Sequence, residues 1–281
     1  MSSYRFCRTD DVSLLVDALN RCWSPHFPDE PAMTPATFKR SIRDLQVWCS
    51  SCMVAFAGAD PIAVLIGAKR PSGTLIHKIA VHPDHCRQGH GRHLLTSLSS
   101  KLSILGPPRM VAEIPETLTP TCELFAACGY LQEALLTDYV LDREASVVGD
   151  AAGMFVFPVT IDDLVANDLL GDQHPQTCWE RSVETLTARK DEIQGLAVAS
   201  DERIEAFILY VNDGEILSMS TFVEDGGARL KQLLSQLPAQ DTGRFRFQKV
   251  HPVEISKELL ETLGFRPTAA HLLYAAKARS A

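Results

Sequence analysis

Residues 79–95 have the sequence IAVHPDHCRQGHGRHLL, in which an apolar strand ends, a polar loop follows and two glycines lead directly into a helix. Glycines let backbone N–H groups approach an anion closely, and the first turn of a helix offers unpaired N–H donors and the positive end of the helix dipole. Arg87 and Arg92 add positive charge to the same loop. This stretch is therefore predicted to bind a diphosphate group.

Two other nucleotide-binding motifs do not fit this stretch. A Rossmann site requires Gly-x-Gly-x-x-Gly directly after the strand, whereas here a polar loop intervenes and Leu94 stands at the third glycine position. A P-loop requires Gly-Lys-Ser/Thr, and Gly91 is followed by Arg92 and His93. The remaining alternative to a diphosphate site is a glycine-rich turn that binds no ligand.

The chain also contains an internal repeat. Residues 38–45, FKRSIRDL, share with residues 179–186, WERSVETL, the order aromatic, charged, Arg, Ser, β-branched and, after two further residues, Leu. Near the end of each half, Gly129-Tyr130 and Gly264-Phe265 precede a tyrosine by the same spacing. Several matches in one order indicate a duplication.

The length of 281 residues fits two domains of about 140 residues each. Small, weakly patterned residues at 145–153 are the predicted linker, so we expect domains at residues 1–146 and 150–281. Each half follows one plan, in which an opening strand, helices, a hairpin, a strand, an amphipathic helix, a strand, a short helix and a closing strand succeed one another. The predicted fold class is therefore α/β, of the mixed α+β kind.

Composition and charge restrict the partners. The net charge of −8 lies mostly in the second half and argues against a nucleic-acid surface, which needs clustered Lys and Arg. The longest apolar run, residues 53–68, is interrupted by Asp60 and Pro61, and the N-terminus lacks the apolar core of a signal peptide. We therefore expect a cytoplasmic protein without a nucleic-acid or membrane partner; the oligomeric state stays open.

The eight cysteines include one CxxC pair, Cys49 and Cys52. Such a pair can be half of a zinc site or a redox pair, but no second Cys/His pair follows at ligand spacing. We prefer the interpretation that these cysteines are small buried apolar residues in a reducing compartment. No metal is predicted.

Residues 79–95 resemble the GCN5-related N-acetyltransferase (GNAT) family. In that family an apolar strand and a Val-x-Pro turn are followed by Arg/Gln-x-x-Gly-x-Gly/Ala, which opens a helix that cradles the pyrophosphate of CoA. His82-Pro83, both glycines and Leu94-Leu95 match, whereas Cys86 stands where the family usually has Arg or Gln. The resemblance covers residues 4–141 well and the second half only in layout.

The resemblance implies two tandem GNAT-like domains, each a mostly antiparallel mixed sheet flanked by helices, with acetyl-CoA as the acyl donor. It assigns cofactor binding to Ile79, Ala80, Val81, Arg87, Gln88, Gly89, His90, Gly91, Arg92 and Phe125. In the second half the corresponding loop carries Glu224 and Asp225. Two carboxylates oppose a diphosphate, so we expect the second domain to be degenerate and not to hold CoA.

Two residues are candidate general bases. In the family a carboxylate often lies on the strand before the pyrophosphate loop, and the matching position here is His77. An unperturbed histidine titrates near pH 6.5, so His77 can accept a proton near neutrality; the alternative is a core-edge histidine that shares a strand face with Leu75, Ile79 and Val81. Glu113, on the next strand, is the second candidate, and its alternative is a solvent-facing carboxylate.

The family's general acid, a tyrosine, is replaced by Phe125, which has no proton to donate, and Tyr130 is expected in the core. Asp29 and Glu30 lie where the family builds its acceptor pocket; they attract an amine or belong to an ordinary loop. The expected function is that of an acyl-CoA-dependent N-acetyltransferase, which moves acetyl from acetyl-CoA to the amine of a small molecule. The alternative is a catalytically weak CoA-binding module with a structural or regulatory role.

Overall fold

The computed structural model describes residues 2–142, 155–170, 177–238 and 243–279. Its contacts divide the chain into an N-terminal unit, Met1–Glu133 with Leu272–Ala281, and a C-terminal unit, Ala134–His271. The predicted linker at 145–153 lies outside the described residues. The last segment of the chain, Leu272–Ala281, therefore groups with the first unit. The predicted division into 1–146 and 150–281 assigned this segment to the second domain.

The described residues of the N-terminal unit form four helices and five complete strands, together with the end of the last strand of the chain. Its helices are α1 (Val12–Cys22), α2 (Pro35–Leu45), α3 (His90–Leu105) and α4 (Thr119–Ala127). Its strands are β1 (Ser2–Phe6), β2 (Met53–Ala57), β3 (Asp60–Arg70), β4 (Gly73–Val81) and β5 (Arg109–Pro115).

The described part of the C-terminal unit repeats this plan. Its helices are α5 (Ile161–Ala166), α6 (Val183–Ala188), α7 (Ala228–Ser235) and α8 (Lys257–Thr262). Its strands are β6 (Leu131–Asp142), β7 (Val156–Pro158), β8 (Gln194–Ala199), β9 (Ile204–Tyr210), β10 (Glu215–Thr221), β11 (Arg244–Val250) and β12 (Arg266–Lys277). The boundaries between the units fall within β6 and β12.

An aspartate stands at the start of the first helix of each unit, Asp11 at α1 and Asp163 at α5, and the two act differently. Asp163 forms a capping box with Thr160 at the start of α5, which satisfies two N–H donors of the first turn. Asp11 precedes α1, where its carboxylate instead accepts hydrogen bonds from the Arg8 N–H and from the Arg5 guanidinium. Of these two aspartates, only Asp163 therefore caps its helix.

In the N-terminal unit the strand order is β1-β2-β3-β4-β5-β12. Neighbouring strands from β1 to β4 are antiparallel, and β4 runs parallel to β5. One core lies between this sheet and helices α3 and α4, and the end of β12 contributes Tyr274 to it. Ala278 follows, and its N–H donates to the carbonyl of Pro108 over 2.6 Å.

In the C-terminal unit the order is β12-β6-β11-β10-β9-β8-β7. The pair β10 and β11 is parallel, and β8, β9 and β10 are antiparallel neighbours. Two apolar clusters pack on this sheet, one of them containing α7 and α8. Each unit is thus a mostly antiparallel mixed sheet with helices, which confirms the predicted mixed α/β class. In the described ranges no helix is long and apolar enough to cross a bilayer.

Candidate functional site

Strands β4 and β5 separate along their length. Their Cα partners are Thr74 with Met110 and Leu75 with Val111, and these two pairs form the recorded ladder over the described residues 73–115. Beyond it β4 continues to Val81 and β5 to Pro115. Among the described residues, β4 and β5 have no further Cα partners in common toward their carboxyl ends. An extended ligand can enter between two parallel strands at such a place.

The predicted strand residues of the cofactor site lie on one side of this opening. Ile79, Ala80 and Val81 each have a Cα partner on β3, so the other edge of β4 faces the gap. The carbonyl of Val81 lies 2.8 Å from Nε2 of His26, which fixes the end of the strand against the segment that follows α1.

His77 lies in a β-bulge of β4. The pairing with β3 passes from Ile66 with Lys78 to Gly67 with Ile76, so His77 is the extra residue. Bulges redirect a side chain and are frequent next to active sites. The bulge also changes the expected strand face, because Ile76, rather than Leu75, packs with Ile79 in the core beside α3. His77 itself is half-buried.

Glu113 lies on the facing strand. Its neighbours Ala112 and Ile114 belong to the core beneath α3 and α4, so the alternation of β5 turns Glu113 to the opposite face, where it is half-buried. Glu113 stands two residues past the last paired position of β5, as His77 does on β4. Both candidate bases therefore lie at equivalent positions on the two strands, where the gap begins.

The two glycines of the loop have different structural roles. Gly89 adopts φ +87°, and a Cβ built there meets nothing within 4 Å, so its backbone conformation requires glycine while its surroundings are open. A Cβ on Gly91 would lie 2.9 Å from Leu124 of α4. Gly91 therefore allows α3 to pack closely on α4, a role that the sequence motif did not distinguish from anion binding.

The start of α3 is open to an anion. No side chain caps it, and its first turn contains no acidic residue, so its N–H donors and the positive end of the dipole are available. Arg87, Gln88 and Arg92 are exposed around it. Arg87 has φ +62°, which is uncommon outside glycine and often marks functional loops. The side-chain amide of Gln88 donates to the carbonyl of Asp84 over 3.3 Å and so stays within the loop.

His90, the first residue of α3, is buried despite its place in this polar loop. Its side chain is 5% exposed, and Nδ1 lies 2.6 Å from the hydroxyl of Tyr4. Burial, together with the nearby His85 and His93, lowers the pKa of His90. The imidazole is therefore neutral near pH 7. The sequence motif gave no sign that this position is buried.

The segment between α1 and α2, where the acceptor pocket was expected, is fixed to β4. The ring of Trp23 stacks on Phe27 at 4.3 Å, and its Nε1 donates to Glu30 over 2.9 Å. Nζ of Lys78 lies 3.8 Å from the centre of the Trp23 ring and 3.5 Å from Glu30. Glu30 thus already has a cation and a donor, while Asp29 is exposed.

Phe125 lies in the core of the N-terminal unit. It is 1% exposed, and its ring centre is 4.8 Å from that of Tyr130 and 6.3 Å from that of Tyr274. The ring of Phe125 is thus covered by its neighbours, and its predicted contact with the cofactor stays a prediction. Tyr130 is also buried, and burial raises its pKa above the usual range.

The C-terminal unit has a corresponding opening that carries different residues. Its parallel strands pair at Glu215 with Arg246 and at Ile216 with Phe247. The bulged residue of β10 is Leu217, which has no proton to exchange. His77 therefore has an apolar counterpart in the second unit.

The helix start in the C-terminal unit is filled by its own carboxylate. Asp225 accepts hydrogen bonds from the N–H of Gly227 at 2.9 Å, from the N–H of Arg229 at 3.0 Å and from the Arg229 side chain at 2.9 Å. Burial opposes its ionisation, but the hydrogen bonds from Arg229 and the backbone lower the pKa of Asp225 overall. The Asp225 carboxylate thus occupies the N–H donors that an anionic ligand would need. This opposes the binding of a diphosphate more strongly than the charge repulsion inferred from the sequence.

The cysteine pair lies in the protein interior. Cys49 and Cys52 are buried with free thiols, and burial raises the pKa of both, so neither is an activated thiolate. Within the part of the chain that the structure describes, no group of three or more His, Cys, Asp or Glu side chains could hold a metal ion.

Comparison with known proteins agrees with these features. Residues 13–130 match the sequence model of the Acetyltransferase (GNAT) family. This part of the chain is therefore similar to the GNAT acetyltransferases, the family that its loop resembles. None of the curated proteins matches the chain in sequence.

Solved structures extend this result to the whole chain. A tandem GNAT protein from the clavulanic acid biosynthesis pathway has a TM-score of 0.66 and 16% identity, with 100% of both chains covered. GCN5-related N-acetyltransferases from Sphaerobacter thermophilus (TM-score 0.66, 13% identity, 99% of this chain and 96% of that one) and Anabaena variabilis (0.67, 12%, 99% and 73%) are also similar. The chain has the tandem GNAT fold.

Proposed function

We propose that the protein is an acyl-CoA-dependent N-acetyltransferase that transfers the acetyl group of acetyl-CoA to the amine of a small molecule. The observation that supports this most is the open helix start of α3 beside the gap between β4 and β5, with two candidate bases where the gap begins. The corresponding helix start of the C-terminal unit is filled by Asp225. One cofactor site per chain follows.

The residues fit a CoA molecule in two parts. The diphosphate would meet the N–H groups that follow Gly89, with Arg87 and Arg92 balancing its charge. The pantetheine arm would enter the gap and hydrogen bond to the edge of β4 that faces it, near Ala80. Gln88 and His90 would shape the loop from within, since one bonds to the loop carbonyl of Asp84 and the other to Tyr4.

The chemistry is an acyl transfer. The lone pair of a neutral amine attacks the thioester carbonyl, a C–N bond forms, and the C–S bond breaks to release the CoA thiolate. The amine must lose a proton, and His77 or Glu113 would accept it directly or through water. The thiolate must gain a proton, and Phe125 has none to give. This proton would come from water, or the ammonium formed during attack would pass its proton to the thiolate instead of to the base.

A second function is favoured by one observation. Phe125, at the position of the family's general acid, is enclosed by the core, so a CoA-binding module with weak turnover and a structural or regulatory role fits the same loop. For either function we place the protein in the cytoplasm, with neither nucleic acid nor membrane as a partner.

Two measurements test the proposal. Calorimetric titration with CoA should give one site per chain, and two equivalent sites or none would contradict the assignment. Thiol release from acetyl-CoA is then followed across a panel of small amines. Release that depends on an amine and is lost in His77→Ala or Glu113→Gln supports the enzyme, whereas bound CoA without turnover for any amine supports the binding module.

A further inference from the structure

His90 presents an unusual arrangement in the loop that we assign to the diphosphate. It is nine-tenths or more buried, and its Nε2 has no hydrogen-bond partner among the described residues. Its Nδ1 has a single short contact, 2.6 Å, with the hydroxyl of Tyr4. A buried polar atom without a partner is rare and destabilising, so the orientation of this imidazole must be fixed by the contact that remains.

Tyr4 makes that contact from a different element. It lies on β1, where its Cα partner is Ala55 of β2. Its ring centre is 3.7 Å from that of His93, one turn further along α3. Tyr4 therefore contacts both the first residue of α3 and the residue one turn later, and connects the edge strand to the helix start.

We propose that Tyr4 is a positioning residue for cofactor binding: its hydroxyl donates a hydrogen bond to Nδ1 of His90 and so holds the first turn of α3 where its N–H groups meet the diphosphate. His90 then carries its proton on Nε2. The inference rests on the proposed function, because it assumes that this loop receives CoA. Tyr4 itself does not touch the reacting atoms.

Loss of the hydroxyl would leave both imidazole nitrogens buried without partners. The ring would then turn toward water and displace the backbone between Gly89 and Gly91. CoA binding would have to return this backbone to its original position, which lowers the affinity. One hydrogen bond corresponds to about a five-fold change in an equilibrium constant. Tyr4→Phe keeps the aromatic ring and its stacking on His93, so the change is confined to the hydroxyl.

The test compares Tyr4→Phe with Tyr130→Phe. Tyr130 is a second buried tyrosine of the same unit, and its hydroxyl has a weak contact of 3.8 Å with Sδ of Met110. We expect Tyr4→Phe to raise the Kd of CoA and the KM for acetyl-CoA about five-fold, with kcat and the KM for the amine unchanged. Tyr130→Phe should leave all four values unchanged. Equal losses in both variants, or none in Tyr4→Phe, would overturn the inference.

Two further readouts separate positioning from general destabilisation. If the pair acts as a unit, His90→Gln and the double variant with Tyr4→Phe should bind CoA equally weakly; additive losses would refute the coupling. Nitrogen NMR of histidine-labelled protein should show His90 protonated on Nε2, and protonation on Nδ1 would refute the direction of the bond. The NMR result does not depend on CoA and tests the hydrogen bond between Tyr4 and His90 alone. The proposed function is tested by a different measurement, because it would be contradicted if the wild-type protein bound no CoA.

Discussion

Substitution of Gly89 tests the cofactor loop most directly, because two variants separate two physical effects. Gly89 has φ +87° and no atom within 4 Å of an added Cβ. Gly89→Ala therefore adds only conformational strain, about 1–2 kcal/mol for the left-handed region. If the loop of Gly89→Ala relaxes to relieve that strain, CoA binding must return the loop to its strained conformation. We therefore expect the affinity for CoA to fall about 5- to 30-fold.

Gly89→Asp adds a charge to the same strain. A carboxylate about 5 Å from one phosphate charge is repelled by about 1 kcal/mol in water and about 3 kcal/mol at an effective dielectric constant of 20. Gly89 is exposed, so the value lies between these limits. The total of about 2–5 kcal/mol corresponds to a loss of about 30-fold or more in CoA affinity.

The assay is calorimetric titration with CoA at low and high salt. Salt should reduce the additional loss in Gly89→Asp but not the loss in Gly89→Ala, because only the first is electrostatic. Gly226 is the matched control, since it has φ +63° and equally open surroundings in the C-terminal loop. Gly226→Asp should leave CoA affinity unchanged. Unchanged binding in both Gly89 variants, or equal losses at Gly89 and Gly226, would refute the reasoning.

Three further predictions follow from the site. His77→Ala should lower kcat by about 100-fold with CoA affinity nearly unchanged, and the ascending limb of the pH–rate profile should disappear; if Glu113→Gln alone removes activity, Glu113 is the base. Phe125→Tyr should lower the free energy of unfolding by about 1–3 kcal/mol, because it buries a hydroxyl in a packed core, and chemical denaturation measures this; faster thiol release would show that proton donation limits the native reaction. Asp225 has a lowered pKa, so its stabilisation is present above its unfolded pKa and lost as the pH falls through its lower folded pKa. Asp225→Asn should therefore be less stable than the wild type at neutral pH but similar near pH 2, as followed by thermal unfolding.

The fold and the family resemblance were largely predictable from the sequence. The glycine pair, the apolar strand before it and the repeat between the halves depend on local pattern, and local pattern determines elements such as β4 and α3 directly. The matches at residues 13–130 and to the tandem GNAT structures confirm the family resemblance and the fold. The individual site residues stay predictions until they are tested.

Other features depend on distant contacts that local pattern does not encode. The bulge at His77 arises from pairing with β3, and the burial of His90 arises from its contact with Tyr4, 86 residues earlier. The role of Asp225 had a signal that was available: an aspartate shortly before a helix start is a typical capping residue. From the sequence, Asp225 was considered only as a negative charge that repels an anionic ligand. In the structure its carboxylate accepts hydrogen bonds from N–H groups at the start of its own helix.

The division of β12 between the units has a consequence for synthesis of the protein on the ribosome. The core beside α3 includes Tyr274 and Ala278, which are translated about 140 residues after Glu133. At about 5–20 residues per second, the first unit waits roughly 7–30 s for its last strand segment. During that time its partial sheet exposes apolar surface to chaperones and proteases. The first unit therefore completes its core only after the second half has been translated.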